Sequence, residues 1–479
     1  VMGVSAASSN HVVFKGIPYT EHAPIGSYRF QESVVRTSAY TNDYLDATLD
    51  APECIQYASG EQSEDCLFLN VFVPKDGVEM TANGTVIGSL PVMMWIHGGA
   101  FISGSADIDG SPFLRKSNVI YVAIQYRLAA LGFLALDSIY NESNGKTTGG
   151  MNGVNDQIVA LQWIQNYITD FGGDPDQVTI FGESAGGHSV CFLTLMPRAS
   201  GLFQQAIMQS GNCSPARGQQ RSKEEGMQLS LDRLSGVGLA DNLQALRAAD
   251  ASTFRYWTNI RPSVDDYLLM NTTHNMLLNG DYSLNVDKLV IGSNSLDSLY
   301  LYPFFVGFSS APPPQTDEQF VRLLREYSIS DTDIAAMQNT YYPLSDFVPS
   351  SYNNENYSAQ TMRWTTINSD VCYKCPEIFY IDQLLTHSAD ILNEDDIYLY
   401  NFIAAQPPNY ASHASDIAFL YYNVTSLDFA FFGLSETGNK PLSDFMIDAW
   451  INFASYGSPN SSLNAQQWIP FQVNRNALI

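Results

Sequence analysis

The chain has 479 residues, 45% hydrophobic and 15% charged, so it carries enough apolar material for a large core and few charges to spread over its surface. Asp plus Glu number 49 against 23 Lys plus Arg, a formal charge of -26 that sets the surface against nucleic-acid phosphates and anionic headgroups. No stretch approaches the roughly 20 apolar residues of a membrane span, and the chain opens at Val1 with no visible signal peptide.

In chain order, short apolar runs bounded by turn residues fall at Pro91–Ile96, Val119–Gln125, Val178–Phe181, Ala206–Gln209, Leu289–Ile291 and Ile397–Phe402. Continuous runs of this length suit strands buried on both faces. Between the second and third, Val154, Ile158, Leu161, Ile164 and Ile168 recur at helical spacing, with Asp156 near the start of that helix. Strand, helix and strand in succession predict an α/β fold: a large, mostly parallel central sheet flanked by helices. Segments 215–285 and 305–395 read as helical and irregular insertions over the C-terminal edge of the sheet, where such sheets bind ligands. No repeat, low-complexity tract or linker divides the chain, so the expectation is a single domain over residues 1–479.

Chemistry concentrates at FGESAGG, residues 181–187, between the third strand and a helical stretch beginning near Ala185. Gly182 to Gly186 fits G-x-S-x-G, in which a serine sits on a strained strand-to-helix turn with small neighbours. The helix that follows aims its N-terminal amides at the charge that develops during attack. WIHGGAF, residues 95–101, ends another strand, and its small residues allow backbone N–H groups to approach a substrate closely. Gly99, Ala100 and Ala185 are therefore the candidate oxyanion donors. His97, upstream of them, reads as a packing residue.

On these motifs the chain resembles the type-B carboxylesterases, the family of cholinesterases, liver-type carboxylesterases and some fungal lipases. FGGDPDQVTIFGESAG (171–186) fits the family's serine signature and EDCLFLNVFVP (64–74) its second signature. FKGIPY (14–19), YRLAALGF (126–133), NGVNDQIVALQWI (152–164) and WINFASYGSPN (450–460) resemble further blocks in the family's order. The resemblance implies an α/β-hydrolase fold and one catalytic domain.

Of seven histidines, the order nucleophile, acid, histidine leaves His274, His387 and His413 as the downstream candidates. His413 alone follows a late strand in a small-residue loop, ASHASDIAF, similar to the family's histidine segment. The supporting acid belongs after the strand Leu289–Ile291, to hold the imidazole in the right tautomer. Laid against the family's G-x-N-x-D-E-G block, Asp297 of IGSNSLDSLYLY falls where glutamate is usual, a departure that leaves another carboxylate as the alternative. Glu183 and Asp416 match two further family acids; they either support the imidazolium or brace loops by hydrogen bonds.

Six cysteines are present. The resemblance implies a Cys54–Cys66 bridge around only eleven residues that lack a tryptophan, too short for a lipase lid and without the feature that binds choline esters. Cys372 and Cys375 form a C-x-x-C whose expected state is a tight local disulfide, since zinc would want a second pair. Cys191 and Cys213 are either buried thiols or a third bridge. The even cysteine count, with sequons at Asn83, Asn141, Asn212, Asn271, Asn356, Asn423 and Asn460, reads as a secreted glycoprotein.

The expected function is hydrolysis of small-molecule carboxylic esters by Ser184, His413 and Asp297 through an acyl-enzyme, without metal or cofactor. Short to medium acyl chains are favoured, and aromatic stretches such as Tyr300–Phe305 and Tyr341–Tyr342 are candidate acyl-pocket linings. The alternatives are a lipase acting on longer-chain glycerides and a non-catalytic recognition protein.

Overall fold

The computed structural model describes residues 10–40, 45–58, 60–81, 86–115, 119–212, 220–299, 314–326, 329–352, 355–403, 411–421, 436–460 and 467–471. Its centre is an eight-stranded sheet. In chain order the strands are β1 His11–Pro18, β2 Phe68–Pro74, β3 Leu90–Ile96, β4 Ile120–Ile124, β5 Gly173–Glu183, β6 Gln205–Gln209, β7 Lys288–Asn294 and β8 Ile397–Phe402. Their order across the sheet is β1-β2-β4-β3-β5-β6-β7-β8. Strands β3, β4, β5 and β6 pair in parallel, whereas β1 and β2 join as antiparallel neighbours at one edge.

All six apolar runs lie on sheet strands. The central ones have nearly every residue buried, which is why they read as continuous apolar runs without alternation. Strands β1 and β2 escaped that pattern for local reasons. β1 is only partly buried, and β2 is interrupted by Asn70. The Asn70 amide is used structurally: it accepts from Gly16 N–H at 2.9 Å and donates to the Ala106 carbonyl at 3.1 Å.

Helix α1 (Asn152–Tyr167) matches the predicted periodicity. Asp156, expected near its start, is fully buried and takes a bidentate ion pair from Arg127, with both contacts at 2.7 Å. Helix α2 (Ala185–Leu195) follows β5. The insertions supply α3 (Lys223–Gly236), α4 (Ala359–Ser369), α5 (Cys375–His387) and shorter pieces, and α6 (Glu436–Tyr456) comes last. The chain forms two compact units. One comprises 1–291, 380–399 and 447–479; the other comprises 292–379 and 400–446.

Cys54 and Cys66 are joined by a disulfide. Cys191 is also disulfide-bonded, and Cys213 lies outside the described residues. The expected Cys372–Cys375 bridge is absent: both are thiols. Cys372 lies in a π-helical turn, Asp370–Lys374, that leads directly into α5. Side chains three apart on a helix have Cβ atoms about 5–6 Å apart, whereas a disulfide needs about 3.5–4.5 Å. A C-x-x-C held in helix therefore stays open. The sequons at Asn83 and Asn423 and the stretch Tyr300–Phe305 lie outside the described residues.

Candidate active site

Ser184 stands between β5 and α2 with φ 56° and ψ -119°, a left-handed backbone on a residue that is not glycine. Such a conformation costs on the order of 1–3 kcal/mol and persists only where the surroundings enforce it. Here three things do. The Ser184 N–H donates to the Gln209 carbonyl of β6 at 2.9 Å, and the Ser184 carbonyl accepts from His188 N–H at 2.8 Å. The third is close approach: a Cβ on Gly186 would lie 2.0 Å from the Ile96 carbonyl oxygen. Gln209 is itself anchored, its side-chain oxygen accepting from the Trp450 indole of α6 at 3.2 Å. The flanking Glu183 and Ala185 are buried, while Ser184 is partly exposed. Ala185 opens α2, whose first amides have no intrahelical acceptor.

The loop after β3 carries three successive left-handed residues: Gly99 (φ 99°), Ala100 (φ 56°) and Phe101 (φ 59°). The Gly99 carbonyl accepts from Ile102 and Ser103 N–H, each at 3.0 Å, which closes the turn. A Cβ on Gly99 would meet the Ser103 carbonyl oxygen at 2.2 Å, so only glycine fits. Phe101 anchors the loop in the core against Phe133, with ring centroids 5.3 Å apart. His97 braces it from behind, stacking on Tyr126 and donating from Nδ1 to the Gly98 carbonyl at 2.9 Å. Burial lowers its pKa to about 4, so His97 is a neutral packing residue. Glu183 sits beside the same loop: a Cβ on Gly98 would lie 2.9 Å from its Oε2.

In the second unit, the loop after β7 and the loop after β8 are tied together. Ser295 N–H donates to the Phe402 carbonyl at 2.8 Å and Leu296 N–H to the Ala411 carbonyl at 2.9 Å. This brings the predicted acid to the predicted histidine: Asp297 Oδ1 lies 2.8 Å from His413 Nδ1. Asp297 is fully buried and His413 nearly so. A carboxylate can only accept, so Nδ1 carries the proton and Nε2 of the neutral ring keeps its lone pair. The other Asp297 oxygen, Oδ2, accepts from Asn294 N–H at 2.6 Å.

Asp416, one turn past His413, is fully buried and accepts from Asn294 Nδ2 at 3.1 Å and from the Tyr400 hydroxyl at 2.8 Å. Burial and the Asp416 charge hold the Tyr400 phenol well above its ordinary range, so it remains a donor. Asn294 thus joins Asp297 to Asp416.

Glu377, Asn294, Tyr400 and Tyr373 were not singled out from the sequence. Tyr373 places its ring centroid 5.5 Å from that of His413. Glu377 is 1% exposed and accepts the Ser293 hydroxyl at 3.2 Å. Burial, then the Asp297 charge, pushes its carboxyl up to about 8. The only signal for Glu377 was an acid on an apolar helix directly after Cys375-Pro376, and the cysteine motif masked it.

A mostly parallel sheet with a serine on a strand-to-helix elbow, and an acid–histidine pair on the loops after two later strands, defines an α/β-hydrolase. The pattern of the carboxylesterase family matches residues 1–479. The chain is 31% identical over 491 residues to the para-nitrobenzyl esterase of Bacillus subtilis (strain 168), covering 97% of this chain and 90% of that protein. It is 28% identical over 482 residues to carboxylesterase 1C of Rattus norvegicus, covering 94% and 81%. Among solved structures, carboxylesterase EST55 of Geobacillus stearothermophilus matches with a TM-score of 0.78 at 28% identity, covering 99% of this chain and 92% of that one. The chain belongs to the carboxylesterase family, and as an enzyme it is a carboxylic ester hydrolase.

Proposed function

We propose that the chain is a serine carboxylesterase that hydrolyses small-molecule esters through an acyl-enzyme on Ser184, with His413 as base and Asp297 as its partner. The observation that carries this reading is the Ser184 backbone, a left-handed serine at a strand-to-helix junction held by Gln209 and Gly186. His413 Nε2 takes the hydroxyl proton as Ser184 attacks the ester carbonyl. Asp297 holds the ring's tautomer and stabilises the imidazolium without taking its proton. Amides of Gly99, Ala100 and Ala185 receive the oxyanion. His413 then protonates the leaving alcohol, and a water molecule repeats the sequence on the acyl-enzyme.

Short to medium acyl chains fit the loop closed by Cys54–Cys66. Gln56 is pinned to Gly104 by two hydrogen bonds, accepting at 2.8 Å and donating at 3.1 Å, and Tyr57 N–H donates to the Ile102 carbonyl at 2.8 Å. Arg255 donates to the Gln56 carbonyl at 2.7 Å. A loop stitched at these points does not serve as a swinging lid. Passage through a secretory compartment is part of the same reading, supported by the Cys54–Cys66 disulfide and by exposed sequon asparagines at Asn141 and Asn271. Asn212 is buried and unsuited to carry a glycan.

The test is Ser184→Ala with organophosphate labelling of the parent enzyme. The variant should fold and show neither burst nor turnover, and the label should map to Ser184. A label on any other serine would remove the assignment.

A further inference from the structure

The helical run between α4 and α5 is broken by the π-turn Asp370–Lys374. The cause is local. Pro376 brings no N–H, and its ring crowds the carbonyl four residues back, so the preceding turn widens. Tyr373 in this turn packs near His413, and Glu377 just beyond it is driven inward.

Glu377 has one oxygen on the Ser293 hydroxyl, and its Oε1 has no hydrogen-bond partner among the described residues. Ser293 precedes Asn294, whose N–H holds Asp297. The charged and titratable groups facing Glu377 are Asp297 from the loop after β7, Asp416 from the helix Ser415–Leu420, Tyr400 from β8, and Lys374 and Cys375 from its own run. The Lys374 ammonium is already engaged with Asp370 at 2.9 Å and the Ser295 carbonyl at 3.2 Å. The acids do not make a cation site: no group of three or more His, Cys, Asp or Glu among the described residues could hold a metal ion.

We propose that Glu377 is a positioning residue for ester hydrolysis, acting on His413 through Asp297. This rests on the triad reading above. While Glu377 keeps its proton, it adds no charge beside Asp297 and Asp416. When it ionises, near pH 8, a further negative charge stands behind Asp297 and favours the imidazolium that forms in both half-reactions.

The experiment is the pH profile of kcat for a soluble nitrophenyl ester, with active sites counted by burst titration. The parent enzyme should show a second rise, about two- to five-fold, centred near pH 8. Glu377→Gln keeps the shape and the Ser293 hydrogen bond but cannot ionise, so its profile should lack that rise. Ser293→Ala removes a hydrogen bond that favours ionised Glu377, so it should move the rise to higher pH, and it keeps the proposal testable if Glu377→Gln does not fold. Profiles of Glu377→Gln and parent that superimpose, or that differ by a constant factor at every pH, would show a structural role alone and overturn the proposal. Turnover by Ser184→Ala would instead defeat the triad reading, so the two failures are distinct.

Discussion

Asp297 offers its two carboxylate oxygens to different masters: Oδ1 to His413 Nδ1 at 2.8 Å and Oδ2 to Asn294 N–H at 2.6 Å. The backbone donor fixes the carboxylate, and the carboxylate then fixes the ring. Asp297→Asn should therefore leave a folded enzyme whose imidazole holds the wrong tautomer. The expected loss is in kcat, about a thousand- to ten-thousand-fold, with KM little changed. Steady-state kinetics on a nitrophenyl ester measure it, and retention of more than a tenth of kcat would point to another acid. Asp297→Glu keeps the carboxylate but adds a methylene in a fully buried site. It should fall between parent and Asn.

Acidification should remove activity as His413 becomes protonated, since an imidazolium cannot accept the serine proton. The acid limb should appear in kcat/KM of the free enzyme. A flat profile into the range where carboxylates titrate would contradict a histidine base.

Stability should also carry the mark of Glu377. In the folded chain it keeps its proton to about 8, against an ordinary value of 4.5. Between those values the folded state binds one proton more than the unfolded state, so this residue's contribution falls as pH rises through the window and then levels off. Glu377→Gln abolishes that slope. Its Tm relative to the parent should climb from about pH 5 to about pH 8. A Tm difference that is constant across the window would count against a buried protonated acid.

Removing the Cys54–Cys66 bridge by a double serine substitution should cost roughly 2–4 kcal/mol by denaturant titration. Because Gln56 and Tyr57 hold the loop around Gly99 to Gly104, the same variant should lose kcat as well as stability. Unchanged kcat at a lowered midpoint would separate the two loops.

On soluble esters, the rate should saturate with concentration and show no jump at the solubility limit. Preference should lie at roughly two to eight acyl carbons, because each buried methylene adds only about 0.8 kcal/mol. Strong activation on a triolein emulsion would make the lipase reading the better one.

The central sheet was legible because its strands are buried on both faces, and a run such as Val178–Phe181 has no alternative at that length. Strands β1 and β2 were legible only as family blocks, since partial burial blurs the pattern of β1 and Asn70 that of β2. Ser184 and His413 were expected from motif and order, and Asp297 from its resemblance to a family block after a strand; the contact between Asp297 and His413 agrees with that pairing. Glu377 and Tyr400 were not, because their importance comes from which buried charges they face, a property of tertiary packing. Cys372 and Cys375 were misread because spacing alone does not reveal that helix holds them apart.

Gln209 gives a last consequence. Its carbonyl holds the Ser184 N–H, and its side chain holds the Trp450 indole. The Ser184 amide is thereby latched through one glutamine to a helix more than two hundred residues away in sequence. In hydrogen–deuterium exchange, the Ser184 amide should be among the last to exchange and should track global unfolding rather than local fraying. Trimming the C-terminus past Trp450 would loosen the elbow without touching a single residue beside the substrate, and the first symptom would be an amide that exchanges early.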